Sequence, residues 1–357
     1  MTGKILIAGA LGLVGRAVLD HCESLPGWEI VALSRRPPEL ETRAQFVSVD
    51  LADAADCRAK LSPLRGITHI VYCALFEKPD LGAGWLEADQ IETNRRMLVN
   101  FLDAVEPGNT GLRHVALLQG TKAYGAHLGQ IRVPAKESTP RHPHPNFYWV
   151  QEDFIRARQQ GSNWYWTIFR PQAVIGFALG SAMNLLSAFG VYAAVMRALG
   201  LPLIYPGTGQ RITEATDARL LARAILWAGA APTARNETFN ITNGDVFLYQ
   251  NLWPMIAGHF GMEMGPAQPM PLAVVMRDKA PVWAEIVRKH QLLPHSMEQL
   301  IGHSWQFADF ALSRTHSTSS ILSTIKLRQA GFGDCIDTEE MFRWWFTELQ
   351  RRRVLPR

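Results

Sequence analysis

The sequence predicts an α/β fold: a doubly wound parallel sheet with a smaller, mainly helical lobe. Three observations predict it. Short apolar runs alternate with helical stretches over residues 1–170. Those runs are nearly continuous in apolar residues, as central parallel strands buried on both faces must be. A glycine-rich turn, G-A-L-G-L-V-G, follows the first run directly.

The elements follow in order. Residues 4–8 form a short apolar strand that runs into the glycine turn and a helix through His21. Residues 29–34 (E-I-V-A-L-S), 45–49, 68–73 (T-H-I-V-Y-C) and 114–119 (H-V-A-L-L-Q) read as the next four strands. Between the last two, residues 85–105 carry helical periodicity, with Leu98, Phe101, Leu102 and Val105 on one face. Residues 147–160 read as a helix. Residues 164–170 (W-Y-W-T-I-F-R) read as a sixth strand, stopped by Pro171. The alternation then fails: residues 171–205 are apolar and irregular. A helix over 217–229 and a strand over 238–242 (T-F-N-I-T) read as a return to the sheet. Residues 250–330 are helical between prolines, and residues 338–353 form an amphipathic helix with Thr338 as its expected N-cap ahead of Glu339 and Glu340.

Composition narrows the function. The chain has 357 residues, 47% hydrophobic and 19% charged, which suits a large α/β domain with an added lobe. Net charge is +4, and the one basic block, Arg351 to Arg353, reads as a solvated helix end, so no nucleic-acid partner is expected. The four cysteines, Cys22, Cys57, Cys73 and Cys335, lie far apart and read as reduced, mostly buried thiols of a cytoplasmic protein. The first strand starts almost at once, so no signal peptide is expected. Residues 171–196 lack charge, but Gly176, Gly180, Ser181, Asn184, Ser187 and Gly190 argue for a buried helix and loop lining a pocket rather than a membrane span. The late tryptophans Trp283, Trp305, Trp344 and Trp345 read either as core or as the wall of a flat apolar pocket.

Gly9, Gly12 and Gly15 stand between strand and helix. There glycine permits a sharp turn and close approach of a pyrophosphate, and the helix N-terminus offers N–H groups and a positive dipole. After the second strand comes Ser34-Arg35-Arg36, not the acidic residue that accepts a ribose hydroxyl. Two guanidiniums suit a 2′-phosphate, so the expected cofactor is NADPH/NADP. Asp50, followed by Leu51, is placed to meet the adenine ring, to cap a helix, or both.

Tyr148 lies in N-F-Y-W-V-Q-E-D. Position 152, four residues on, holds glutamate where a short-chain dehydrogenase/reductase usually has lysine. The candidate lysine lies upstream, Lys122 in Q-G-T-K-A-Y. With these two residues the chain resembles the progesterone 5β-reductase/iridoid synthase-like family of short-chain dehydrogenases/reductases. The matching stretches are 9–15, 34–36, 119–124 (Q-x-x-K-x-Y), 146–153 (N-F-Y-x-x-x-E-D), 170–177 (R-P-x-x-x-x-G-F), Met183-Asn184 and 191–194 (V-Y-A-A). Two departures stand out: Ala123 replaces the histidine of the family's K-H-Y, and Trp149 replaces the second tyrosine of N-F-Y-Y.

The resemblance implies an extended, Rossmann-like reductase that reduces the conjugated C=C bond of enones or enals with NADPH. Tyr148 and Lys122 would be its catalytic pair. It further implies cofactor contacts from Leu11, Leu13, Val14, Ala74, Gln119, Val174, Ser181 and Met183, and substrate contacts from Phe76, Tyr148 and Met183, with Phe307 and Phe310 as weaker candidates. The expected domains are an NADP-binding part over 1–170, joined by about 210–248; a substrate lobe over 171–209 and 249–335; and a C-terminal helix over 336–357. A small apolar enone or enal is the expected partner, with no membrane, and a homodimer is a reasonable expectation on general grounds. Glu152 and Asp153 are expected on the helix surface or near its partner strand. His142 and His144, splayed by prolines, are not expected to bind metal, and Tyr124 is a candidate for shaping the site. Competing readings are an extended-type carbonyl reductase or NDP-sugar epimerase, which would want the absent Tyr-x-x-x-Lys, and a non-catalytic NADP-sensing regulator.

Overall fold

The computed structural model describes residues 2–38, 41–78, 83–208, 211–312 and 319–357. The chain divides into two compact units. The first holds residues 1–172, 218–241 and 322–334; the second holds 173–217, 242–321 and 335–357. Residues 218–241 and 322–334 lie in the first unit with the sheet. The C-terminal helix is part of the second.

The first unit is a seven-stranded sheet. Its strands are β1 (Gly3–Ala8), β2 (Trp28–Ser34), β3 (Gln45–Ser48), β4 (Ile67–Tyr72), β5 (His114–Leu118), β6 (Tyr165–Pro171) and β10 (Glu237–Ile241). They run in the order β10-β6-β5-β4-β1-β2-β3, every pairing parallel. The crossovers are α1 (Leu13–Ser24), α2 (Ala54–Leu61), α3 (Ala88–Val105), α4 (Phe147–Gln159) and α6 (Ala218–Ala228). Helix α1 packs with α6, and α2, α3 and α4 pack in series. Strand order reverses between β1 and β4, so the crevice beyond their carboxyl ends is the natural ligand position. The predicted alternation is borne out strand by strand, with ends moved by a residue. Ile5, Leu6, Ile7 and Ala8 are all fully buried, as a strand covered on both faces requires.

Helix α4 is tied to the sheet by a buried polar network. Arg170, on β6, donates from Nη2 to Glu152 Oε2 at 3.0 Å, from Nε to Gln119 Oε1 at 2.8 Å and from Nη1 to the Tyr124 hydroxyl at 3.2 Å. Gln119 Nε2 donates to the Tyr148 carbonyl at 2.9 Å. Glu152 is therefore not a surface residue: it is buried and also pairs with Arg156 at 2.9 Å. The physical reason is Arg170, a guanidinium inside an apolar strand, which a counter-charge must meet. Asp153 does face solvent and binds Arg141.

In the second unit, α5 (Leu185–Ala198) is buried from Leu185 through Met196. Asn184 caps it, accepting from Ser187 N at 3.1 Å. This is the uncharged stretch that resembled a membrane span; no helix of the described residues is long and apolar enough to cross a membrane. Short strands β7 (Val174–Ile175) and β9 (Thr216–Asp217) pair in parallel, and β8 (Ile212–Thr213) and β11 (Phe247–Leu248) pair antiparallel. The helices α7 (Tyr249–His259), α8 (Leu272–Val275), α9 (Ala280–His290), α10 (Met297–Ile301) and α11 (Ser304–Leu312) complete this unit with α13 (Thr338–Arg351), while α12 (Ile325–Gln329) belongs to the first. The N-cap of α13 is Asp337, not Thr338: Asp337 accepts from Glu340 N at 2.9 Å. The Thr338 hydroxyl is already committed to Asp245 at 2.6 Å. Trp283 and Trp345 are core residues, whereas Trp344 is exposed. Cys22 and Cys57 are buried, Cys73 is half-buried, and Cys335 is exposed.

Two predictions follow from the packing of the first unit. Burial holds His69 (assisted by Arg113) down to about 4 and His114 (assisted by His69) down to about 3. Both lie below the unfolded value near 6.5, so their contribution is complete above that pH and is lost as pH falls towards 4 and 3. The melting temperature should fall between pH 7 and pH 5, and His114→Gln, which keeps a partner for Thr167, should flatten that slope; an identical slope would contradict the assignment. Glu152→Ala leaves Arg170 buried without its main counter-charge and should cost about 3–5 kcal/mol in urea unfolding.

Candidate active site

The site starts at the end of β1. Gly9 has φ +80°, and a Cβ there would lie 2.8 Å from Ala74 N and 2.9 Å from the Cys73 carbonyl carbon. The turn thus sits directly against the chain leaving β4, at the reversal of strand order. A Cβ on Gly15 would lie 2.1 Å from the Gly9 carbonyl oxygen, so only glycine lets α1 pack onto its own turn. Gly12 is the N-cap of α1; no side chain caps this end and no acidic residue lies in the first turn. Leu11 is buried, and Leu13 and Val14 are half-buried. The result is a glycine cradle with an uncapped helix N-terminus, suited to a pyrophosphate.

Ser34 closes β2, and its Oγ accepts from Arg36 N at 3.3 Å. Arg35 and Arg36 are exposed. Asp50 is exposed after β3, and its Oδ1 accepts from Ala52 N at 3.0 Å in a local turn. It is not a helix cap, because Asp53 fills that role for α2, accepting from Ala55 N at 2.8 Å. Leu51 is buried, its carbonyl held by Asn100 Nδ2 at 3.0 Å.

Beyond β4 the chain carries Ala74, Phe76 and Glu77. Asn94, fully buried on α3, clamps the Phe76 backbone: Phe76 N donates to Asn94 Oδ1 at 3.0 Å, and Asn94 Nδ2 donates to the Phe76 carbonyl at 2.8 Å. Gln90, one turn earlier, accepts from Lys78 N at 3.0 Å. Both side chains of Phe76 and Glu77 are half-buried.

Lys122 and Tyr148 each lie against Trp85, which packs on Phe147. Lys122 Nζ lies 3.8 Å from a Trp85 ring centroid, and the Tyr148 ring lies 5.1 Å from Trp85, edge-on. Asn146 links the two segments: its Oδ1 caps α4 by accepting from Tyr148 N at 2.9 Å, and its Nδ2 donates to the Lys122 carbonyl at 2.8 Å. Lys122 Nζ lies 3.5 Å from Glu77 Oε1, which also accepts from Trp85 Nε1 at 2.9 Å. Burial pushes the Lys122 amine down to about 8, while Glu77 opposes the fall. Burial, then the Glu77 charge, pushes the Tyr148 phenol up. The phenol is therefore neutral across the working pH range, a state that donates a hydrogen bond.

Sequence reasoning found Lys122 and Tyr148 but missed Glu77, Trp85, Asn94 and the double role of Asn146. Gln90 and Asn94 did leave a signal: amides one turn apart on the same face as Leu98 and Phe101. Tyr124 is held in the buried network, donating to Asn240 Oδ1 at 2.6 Å. His127 lies 5.4 Å from His142 and 6.0 Å from His144, centroid to centroid. Among the described residues no group of three or more His, Cys, Asp or Glu could hold a metal. The remaining expected residues lie in the second unit. Val174 is on β7, and Ser181 and Met183 precede the Asn184 cap, with the Ser181 carbonyl accepting from Ser304 Oγ at 2.7 Å. Phe307 and Phe310 are on α11, the latter exposed.

The chain is similar to known proteins over nearly its whole length. An (S)-8-oxocitronellyl enol synthase from Camptotheca acuminata is 34% identical over 98% of this chain and 93% of its own length. A 3-oxo-Δ(4,5)-steroid 5β-reductase from Arabidopsis thaliana is 32% identical over 98% of this chain and 92% of its own. Among solved structures, the UDP-glucose 4-epimerase of Thermotoga maritima superposes with a TM-score of 0.69 at 15% identity, covering 98% of this chain and 99% of that one. That likeness establishes the extended Rossmann-like fold alone. The PRISE-like Rossmann-fold domain matches residues 48–356, nearly the whole chain beyond the first two strands. The protein belongs to this progesterone 5β-reductase/iridoid synthase-like family of short-chain dehydrogenases/reductases.

Proposed function

We propose that this protein is an NADPH-dependent ene-reductase that reduces the conjugated C=C bond of an apolar enone or enal. The observation that carries the reading is that a neutral, buried Tyr148 phenol and Lys122 share one aromatic neighbour, Trp85, while position 152 is turned into the structural network.

The cofactor fits the residues present. The cradle at Gly9, Gly12 and Gly15, with Leu11, Leu13 and Val14, takes the pyrophosphate. Ser34, Arg35 and Arg36 take the 2′-phosphate, and Asp50 and Leu51 flank the adenine. Ala74, Gln119, Lys122 and Tyr148 serve the nicotinamide end. Val174, Ser181 and Met183 are assigned to cofactor, and Met183 also to substrate, on the family resemblance alone. When bound, NADPH supplies the hydride.

The chain's own residues govern where charge settles. Hydride addition to the β-carbon of an enone leaves negative charge on the carbonyl oxygen. The Tyr148 hydroxyl donates a hydrogen bond to that oxygen as the charge grows, and a preorganised donor in a dry site acts strongly there. The Lys122 ammonium steadies the same charge through the phenol and holds the cofactor ribose. Phe76 contacts the apolar body of the substrate. The relatives' printed activities, an enol synthase and a 3-oxo-Δ(4,5)-steroid reductase, both suit an enolate intermediate.

An epimerase or carbonyl reductase reading is disfavoured because such enzymes use a tyrosine of low pKa with lysine four residues on. Here that position is Glu152, which holds Arg170. A purely regulatory reading leaves Tyr148 and Lys122 without a task.

Two measurements test the reading. Tyr148→Phe should lower turnover of 2-cyclohexenone, followed by NADPH absorbance, by about 10²–10³-fold with NADPH affinity kept. An equal loss in both would remove Tyr148 from the role given to it. Arg35→Ala and Arg36→Ala should each weaken NADPH binding by roughly ten- to a hundredfold, the worth of a charge-assisted contact, and leave NADH binding unchanged. Equal losses for both cofactors would contradict the 2′-phosphate assignment.

A further inference from the structure

Glu77 has no place in the reaction as derived, yet it is the residue most closely joined to Lys122. Its carboxylate is only 11% exposed and lies 3.5 Å from Lys122 Nζ. Among the described residues, Lys122 is its one salt-bridge partner. A carboxylate this withdrawn from water is costly unless it is paired and hydrogen-bonded. Both conditions are met, because Glu77 Oε1 also accepts from Trp85 Nε1 at 2.9 Å. The Trp85 ring in turn faces the same ammonium at 3.8 Å. Lys122 is thus gripped from two directions, by a carboxylate and by a ring face.

The grip is rigid at its base. Asn94 and Gln90 on α3 hold the backbone on both sides of Glu77, at Phe76 and Lys78. Trp85 is 2% exposed and packs against Phe147 at 4.5 Å between centroids. The lysine backbone is fixed separately by Asn146.

We propose that Glu77, clamped by Trp85, is a positioning residue that holds Lys122 charged and aimed along the Trp85 face towards Tyr148. This deepens the ene-reductase reading and rests on it for the role of Lys122. The electrostatics agree in sign. Burial weakens the amine's hold on its proton, and Glu77 acts against burial. Without Glu77 the amine would be neutral over more of the working range, and it could no longer steady negative charge.

The test has two readouts. The first needs no turnover: acetylation of Lys122 by acetic anhydride across pH on the full chain, followed by mass spectrometry. In Glu77→Gln the labelling midpoint should move down by about one pH unit or more, so that Lys122 reacts faster at pH 7. Glu77→Asp should recover part of the shift, and Trp85→Phe, which keeps a ring but removes the indole donor, should show a smaller one. The second readout is the pH profile of kcat/KM for 2-cyclohexenone, whose alkaline limb should move down with the labelling midpoint in Glu77→Gln. A folded Glu77→Gln protein with an unmoved midpoint would overturn the proposal. Should that variant not fold, an unmoved midpoint in both Glu77→Asp and Trp85→Phe would overturn it. A wild-type protein that labels as expected but reduces no enone would sink the ene-reductase reading and leave the Glu77–Lys122 coupling standing.

Discussion

The buried ion pair between Arg170 and Glu152 is the constraint on which the site depends. It crosses from the sheet to α4 and carries Gln119 with it. Gln119 then grips the Tyr148 carbonyl, so the first turn of α4 is located by the same charges that lock its second turn. Arg170 also reaches Tyr124, which reaches Asn240 on β10. A paired buried charge of this kind is weak as a source of stability but strict about geometry, because either partner alone is costly. Here the strictness falls on the helix that bears the phenol.

This constraint also explains why the lysine stands elsewhere. Position 152 lies one helical turn beyond Tyr148 and points at Arg170, where a second cation would be repelled. The ammonium instead comes from the turn after β5, and Asn146 couples that turn to the start of α4. Its setting differs from that of an activated tyrosinate. The phenol is pushed up by burial and by Glu77, so it stays a donor. In the conjugate reduction proposed above, such a donor serves the oxyanion that forms on the substrate.

Much of this was legible in the sequence, and the misses have physical causes. The parallel strands announced themselves because full burial demands continuous apolar runs, and Gly9 and Gly15 because nothing larger fits. The buried helix expected within residues 171–196 is α5, but its bounds were not legible, since a segment buried on all sides has no polar face to set a period. Thr338 was mistaken for a cap because local sequence cannot reveal that Asp245, far upstream, takes its hydroxyl. For Glu152 the sequence leaves two places open, the helix surface or the partner strand, because the residue that decides between them, Arg170, lies 18 residues away on that strand. Yet an arginine ending W-Y-W-T-I-F-R is itself a request for a buried carboxylate. Glu77 and Trp85 left no local signal at all: they meet Lys122 only through the fold, across 45 residues in the case of Glu77.

The claim at the centre is that hydride goes to the β-carbon while Tyr148 holds the oxygen. It is tested most directly by reducing 2-cyclohexenone with NADPH deuterated at the transferable position and locating the label by NMR. The account predicts cyclohexanone with deuterium at the former β-carbon. Deuterium on a carbinol carbon, with the double bond intact, would contradict it.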